Sequence, residues 1–192
     1  LHKGRGDAVI VIDMVKGFHN TGSLANERTA SIIPGIRGLL ARKSKKEGCL
    51  TVFLQDSHKR GDPEFKVFPE HCLEGTEEAE TIDELQEFLQ LPNARVVTKR
   101  TYNGCYATKL GPILQTADPA RVIVVGVCTD ICVKYTVAGL TRERGYSVVV
   151  PADCVETFHD EFWHDAEAEN ANALLHMRKM LGATIVSGAY KI

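Results

Sequence analysis

Three residue types that together can hydrolyse an amide stand at the ends of separate apolar runs. Asp13 closes "AVIVID" (8–13), Lys99 closes "ARVVTK" (94–99), and Cys132 follows "RVIVVGV" (121–127). A thiol needs a base to take its proton and a cation to favour the thiolate. The same acid can return the proton to the leaving amine. If Thr129 caps a helix, Cys132 falls in its first turn, where free N–H groups and the dipole favour a thiolate and an oxyanion. Plainer readings exist: Cys132 as a small buried apolar residue, Asp13 as a turn residue, Lys99 and Asp13 as an ion pair without chemistry. Their coincidence at strand ends favours catalysis. Cys128 closes the strand ahead of the cap. A C-x-x-x-C pair without further thiols or a histidine cluster is a poor zinc signature, so its side chain reads as structural.

A second set lies in "DSHKRGDPEFKVFPEH", which supplies Asp56, His58, Glu64 and His71. Asp-x-His at an extended strand end puts both side chains on one face. A long loop can fold Glu64 and His71 back to complete a mixed N/O set suited to Zn²⁺, Mn²⁺ or Fe²⁺. Asp62 and Glu70 are rival carboxylates, and a solvated polar loop is the plain alternative.

The elements that must position these residues follow from the pattern of apolar runs. Strands are expected at 8–13, 49–56, 94–99, 121–127, 146–153 and 183–186, each short, mostly β-branched and buried on both faces. Helices are expected at 30–48, 77–89, 107–117, 129–145 and 166–181, several closing on glycine, with Pro34 and Pro112 locally unfavourable. The alternation implies an α/β fold of three layers (α/β/α) around a central, mostly parallel six-stranded sheet. Ligands of such sheets bind beyond the carboxyl ends of the strands, where the residues above gather. The irregular stretch 57–76 is long enough to be functional. The stretch 154–170, with His159 and His164, reads as a surface loop entering the last helix.

Composition narrows the class. A formal net charge of −2 over 192 residues gives no footprint for nucleic acid or anionic lipid. No apolar run approaches the roughly 18 residues of a membrane span, and "LHKGRGDAVI" lacks a signal-peptide layout. The six cysteines are scattered in a chain large enough to fold without staples, which favours reduced thiols and a cytoplasmic protein.

The segments "VIDMVKGF" (11–18), "DSH…E…FPEHCLEGT" (56–76), "TKRTYNG" (98–104) and "GVCTDICV" (126–133) resemble the nicotinamidase/pyrazinamidase branch of the isochorismatase-like cysteine hydrolases. The resemblance covers essentially the whole chain. It implies one domain over 1–192 with 57–76 as a metal-binding insertion. It further implies an Asp13–Lys99–Cys132 triad, a cis Val127–Cys128 peptide and an oxyanion hole of the Cys128 and Cys132 N–H groups. A divalent metal, zinc foremost, would sit on Asp56, His58 and His71, with Glu64 bound directly or through water. Phe18 and Phe68 would flank the substrate ring, with Tyr106 towards the pocket wall. The implied reaction is hydrolysis of nicotinamide to nicotinate and ammonia through a thioester, in NAD salvage. The implied partner is this small molecule; no nucleotide cofactor, nucleic acid or membrane is called for, and homo-oligomerisation is left open. The rivals are a metal-independent amidohydrolase of carbamoyl or ureido substrates and a non-catalytic metal-binding or redox-sensing protein using Cys128 and Cys132.

Overall fold

The computed structural model describes residues 6–192; residues 1–5, part of the stretch read above for a leader layout, lie outside them. The central strands are β1 (Ala8–Ile12), β2 (Leu50–Asp56), β3 (Ala94–Lys99), β4 (Val122–Val127), β5 (Val148–Pro151), β6 (Val155–Glu156) and β7 (Thr184–Val186). Every pairing is parallel, in the order β3-β2-β1-β4-β5-β7, and the two-residue β6 pairs with the end of β4. The six expected strands are present, and β6 is the addition. It arises because a turn at Ala152–Cys154 interrupts the run read as 146–153 and returns the chain to β4.

Alternation along the inner strands builds the layers. Ala8, Ile10 and Ile12 of β1 join one core with Leu110 and Leu114 of α3 (Leu110–Ala117), Val137 of α4 (Lys134–Ala138) and Met177 of α5 (Ala166–Lys179). Val9 and Val11 face the other way, onto Ile36, Leu39 and Leu40 of α1 (Ile33–Lys43) and Phe88 of α2 (Gln86–Leu89). The buried positions of α1 recur at helical spacing. Pro34 sits in its first turn, where the missing N–H costs nothing. Strand β3 lies at the sheet edge and exposes Arg95, Val96 and Thr98, so it is not buried on both faces as expected.

The continuous helix expected over 77–89 is replaced by two short 3-10 turns and the four-residue α2. The reason is competition for the backbone: Glu80 O accepts from Lys16 N, Ile82 N donates to Met14 O, and Thr81 bridges to Val15. Groups used this way cannot close helical bonds. Among the described residues no helix is long and apolar enough to cross a membrane.

The chain runs outward from β1 through β2 to β3, then returns to start the other half at β4. The switch point therefore falls between β1 and β4, where an open parallel sheet leaves a crevice at its carboxyl edge. Residue 126 must be glycine for the two strands to lie this close, since a Cβ there would sit 2.0 Å from the Ile12 carbonyl oxygen.

Candidate active site and metal centre

Four neighbouring strands deliver one polar residue each to that edge. Lys99 ends β3, Asp56 ends β2 opposite it in register, Asp13 follows β1, and Cys132 sits in the helical turn after β4. All four are almost fully buried. Lys99 Nζ lies 2.7 Å from Asp13 Oδ2 and 2.6 Å from Asp56 Oδ1, and donates to Cys132 Sγ at 3.5 Å. Asp13 holds a left-handed backbone (φ 51°), and its Oδ1 accepts from Asp56 N at 2.9 Å. Its Oδ2 has no aligned hydrogen bond despite the nearby ammonium. An acceptor is thus free within a cluster where one oxygen each of Asp13 and Asp56 and the Cys132 sulfur lie within 4.8 Å of one another.

The electrostatics assign protons. Burial, reinforced by the Asp56 charge and only partly opposed by Lys99, pushes the Asp13 carboxyl up to about 7. Burial alone would lower Lys99, but Asp13 and Asp56 outweigh it and hold the ammonium charged. Burial raises the Cys132 thiol well above its ordinary value; Lys99 opposes this, and the two carboxylates add to it. The sequence expectation of a resting thiolate is therefore corrected: the sulfur rests as a thiol, and its proton must leave as it attacks. The expected cap is corrected as well. Cys128 occupies the cap position, and the buried Thr129 hydroxyl has no partner. Thr129–Val133 forms a π-turn that puts Cys132 in the opening turn, with Cys128 O accepting from Ile131 N and Val133 N.

Asp56 also belongs to the second set. One donor atom each from Asp56, His58, Glu64 and His71 lies within 4.8 Å of the others. His58 Nε2 is 3.5 Å from Asp56 Oδ1 and 4.0 Å from Glu64 Oε2, and His71 Nε2 is 3.5 Å from Glu64 Oε1. Both Nε2 atoms and Asp56 Oδ2 are buried without a hydrogen-bond partner. Both Nδ1 atoms, by contrast, are engaged: His58 faces Asp62 Oδ2 at 3.1 Å, and His71 donates to Pro69 O at 2.8 Å. Rings held through one nitrogen, with the other aimed at a carboxylate cluster, fit a divalent cation with borderline ligands. Asp62 is thus the partner behind His58, itself held by Arg100 and by Lys59 N. Glu70 lies away on the surface, paired with Arg60.

A cavity of about 220 Å³ joins the two sets: Asp13 and Cys132 line it together with Glu64 and His71. Phe18 and Phe68 form walls, and Cys128 also lines it. Tyr106 is two-thirds exposed and belongs to a separate surface depression with Arg100. Tyr102, from the same "TKRTYNG" segment, takes the wall position instead. Phe158 and His159 also line the cavity, while His164 is buried, so the reading of these histidines as a surface loop is corrected. The missing signal is β6, whose pairing with β4 carries the following residues over the cleft. The Val127–Cys128 peptide is cis, and all six cysteines are free.

Solved structures share this arrangement of the chain. It superposes on the pyrazinamidase/nicotinamidase of Streptococcus mutans with a TM-score of 0.83 at 28% identity, covering 94% of this chain and 100% of that one. The pyrazinamidase of Pyrococcus horikoshii in complex with zinc gives 0.78 at 29%, covering 94% and 98%. The N-carbamoylsarcosine amidase of Thermoplasma acidophilum gives 0.79 at 28%, covering 95% and 99%. Residues 7–185 match the Isochorismatase domain, and the chain belongs to the isochorismatase family of hydrolases.

Proposed function

We propose that the protein is a metal-dependent nicotinamidase, cleaving nicotinamide or a close pyridine carboxamide to the acid and ammonia. One observation carries the reading: a single cavity is lined by Cys132 and Asp13 of the thiol site, by His71 and Glu64 of the cation set, and by the rings of Phe18 and Phe68. A flat heteroaromatic amide spans such a slot with its carboxamide at the thiol and its ring nitrogen towards the cation ligands. The likeness to pyrazinamidase and nicotinamidase structures supports the same substrate class.

Cys132 Sγ attacks the carboxamide carbon as Asp13 takes the thiol proton. The oxyanion is received by the backbone N–H groups of Cys128 and Cys132. Asp13 then gives its proton to the departing amine, leaving an acyl thioester and ammonia. Next it takes a proton from water, whose oxygen attacks the thioester; the acid leaves as the C–S bond breaks, and Asp13 returns the proton to Cys132 Sγ to restore the thiol. Lys99 stays charged throughout and holds Asp13 and Asp56 in place. A cation, held by Asp56, His58, His71 and Glu64, would orient the ring and withdraw electron density from it. A nicotinate product would suit a role in pyridine-nucleotide salvage.

The likeness to N-carbamoylsarcosine amidase favours a second reading, a carbamoyl or ureido amidohydrolase. The buried unpartnered histidine nitrogens weigh against it, since such a substrate has no use for them. Ammonia release from nicotinamide and from a ureido amide, each with and without chelator, separates the two. Chelator-sensitive release from nicotinamide is expected; release only from the ureido amide, indifferent to chelator, overturns the proposal.

A further inference from the structure

One buried cluster lies outside this chemistry. His164 is almost fully buried, and each of its ring nitrogens meets an acceptor. Nδ1 donates to the Phe158 carbonyl oxygen at 2.9 Å, and Nε2 lies 3.0 Å from Asp130 Oδ2. The other Asp130 oxygen accepts from Thr157 Oγ1 at 2.6 Å. The imidazole also stacks flat against the Phe158 ring, with centroids 3.8 Å apart and planes 6° apart. Backbone bonds between Asp160 and His164 close the intervening loop in both directions. Glu169 is near enough to suggest a metal set with Asp130 and His164. A metal is not needed here, because no polar atom of Asp130 or His164 is left without a partner, in contrast to His58 and His71.

What the cluster joins is informative. Asp130 lies two residues before Cys132 in the same π-turn. Phe158 lines the cavity, and its ring meets Phe68 edge-on at 6.4 Å. Deriving its weight from the nicotinamidase reading of this cavity, we propose that His164 is a positioning residue. It clamps the nucleophile's turn to the aromatic wall, fixing the distance between the thiol and the face on which the substrate ring packs. A carbonyl accepts only, so Nδ1 must carry a proton, and one shared proton then serves the Nε2–Asp130 contact.

Two substitutions separate the clamp's parts. His164→Phe keeps a flat ring under Phe158 but removes both hydrogen bonds. His164→Ala removes the ring as well. In the zinc-loaded protein, His164→Phe is expected to lower kcat for nicotinamide about tenfold, the scale of a lost hydrogen bond to a charged group, with KM within about twofold. His164→Ala should in addition raise KM several-fold. Asp130→Ala, which takes the acceptor from His164 Nε2, should lower kcat in the same direction as His164→Phe, and the double variant should be no slower than the slower single one. Full kcat in folded single variants of reduced thermal stability, or additive losses, overturns the proposal. If wild-type protein releases no ammonia from nicotinamide, the function reading fails on its own. The clamp is then read from iodoacetamide alkylation of Cys132 in the same variants, and unchanged rates overturn it. Proton–nitrogen NMR of wild-type His164 needs no variant: a protonated Nδ1 is expected, and an unprotonated one overturns the clamp.

Discussion

Asp56 Oδ1 lies 2.6 Å from Lys99 Nζ and 3.5 Å from His58 Nε2, while the other oxygen of the same carboxylate is buried without a hydrogen-bond partner. One side chain thus anchors the lysine of the thiol site and offers a ligand to the metal set. Asp56→Asn is expected to injure both. Zinc affinity, read by calorimetry, should fall by more than the roughly 10–100-fold that loss of an outer partner costs. Turnover should fall even at saturating zinc, because Lys99 loses one of its two carboxylates. His71→Ala should weaken zinc binding alone and leave thiol alkylation at Cys132 unchanged.

The proton inventory predicts a pH profile. Asp13 must be a carboxylate to accept the thiol proton, and its carboxyl is pushed up to about 7 by burial and by Asp56. In chelated protein acting on benzamide, which lacks a ring nitrogen, kcat/KM should therefore fall below pH 7 by about tenfold per unit and level off above it. Lys99 is held well above its ordinary value, so its deprotonation adds no alkaline limb near neutrality. A cation on Asp56 offsets the charge that raises Asp13, and zinc should move the acid limb to lower pH. A profile flat from pH 5 to 8 in chelated protein removes Asp13 from the base role.

Asp62 should matter to the metal without touching it. Its carboxylate faces His58 Nδ1 at 3.1 Å and is itself held by Arg100 and Lys59 N. The Arg100 guanidinium, against the cost of burial, holds this carboxyl far below the usual range, so it stays ionised at any working pH. Asp62→Ala frees the His58 ring, and zinc affinity is expected to fall about 10–100-fold. Arg100→Ala should give a smaller loss in the same direction, since Lys59 N still holds Asp62. Equal zinc affinity in wild type and Asp62→Ala would show that His58 is oriented by packing alone, against Phe65 and His71.

The parts legible in the sequence share one cause. Asp13, Asp56 and Lys99 end or follow β-branched runs, and parallel strands in register bring such ends to one edge. His58 and His71 were legible as ligand candidates from the Asp-x-His spacing at a strand end and a loop long enough to fold back onto it. The parts that were not legible depend on backbone partners far along the chain. Residues 80–82 fall inside the 77–89 stretch read as a helix but spend their backbone groups on residues 14–16. Thr129 has a capping side chain, yet the π-turn leaves its hydroxyl unpaired. Phe158 reaches the cavity only because β6 pairs with β4, a contact made by two residues with no periodicity to read. The state of Cys132 escaped for a different reason: a motif shows a lysine nearby but not the depth of burial or the second carboxylate.

The close approach of β1 and β4 that creates the crevice predicts a stability contrast between two glycines. Gly126 has φ 115°, and a Cβ there would lie 2.0 Å from Ile12 O and 2.8 Å from Ile12 C and N, all backbone atoms that cannot swing aside. Gly145 also has a positive φ, 72°, but a Cβ there meets nothing within 4 Å. Gly145→Ala therefore bears backbone strain alone, about 1 kcal/mol, and should unfold a few degrees below wild type. Gly126→Ala bears strain and a clash that can be relieved only by parting the strands that carry Asp13 and Cys132. A domain has about 5–15 kcal/mol in total to lose, so this variant is expected to be largely insoluble. Any soluble fraction should show a much lower melting temperature and slower alkylation of Cys132, because its turn has shifted away from Lys99. Thermal unfolding of the two variants side by side tests this, and equal melting temperatures would mean that the sheet accommodates the extra carbon without separating its two halves.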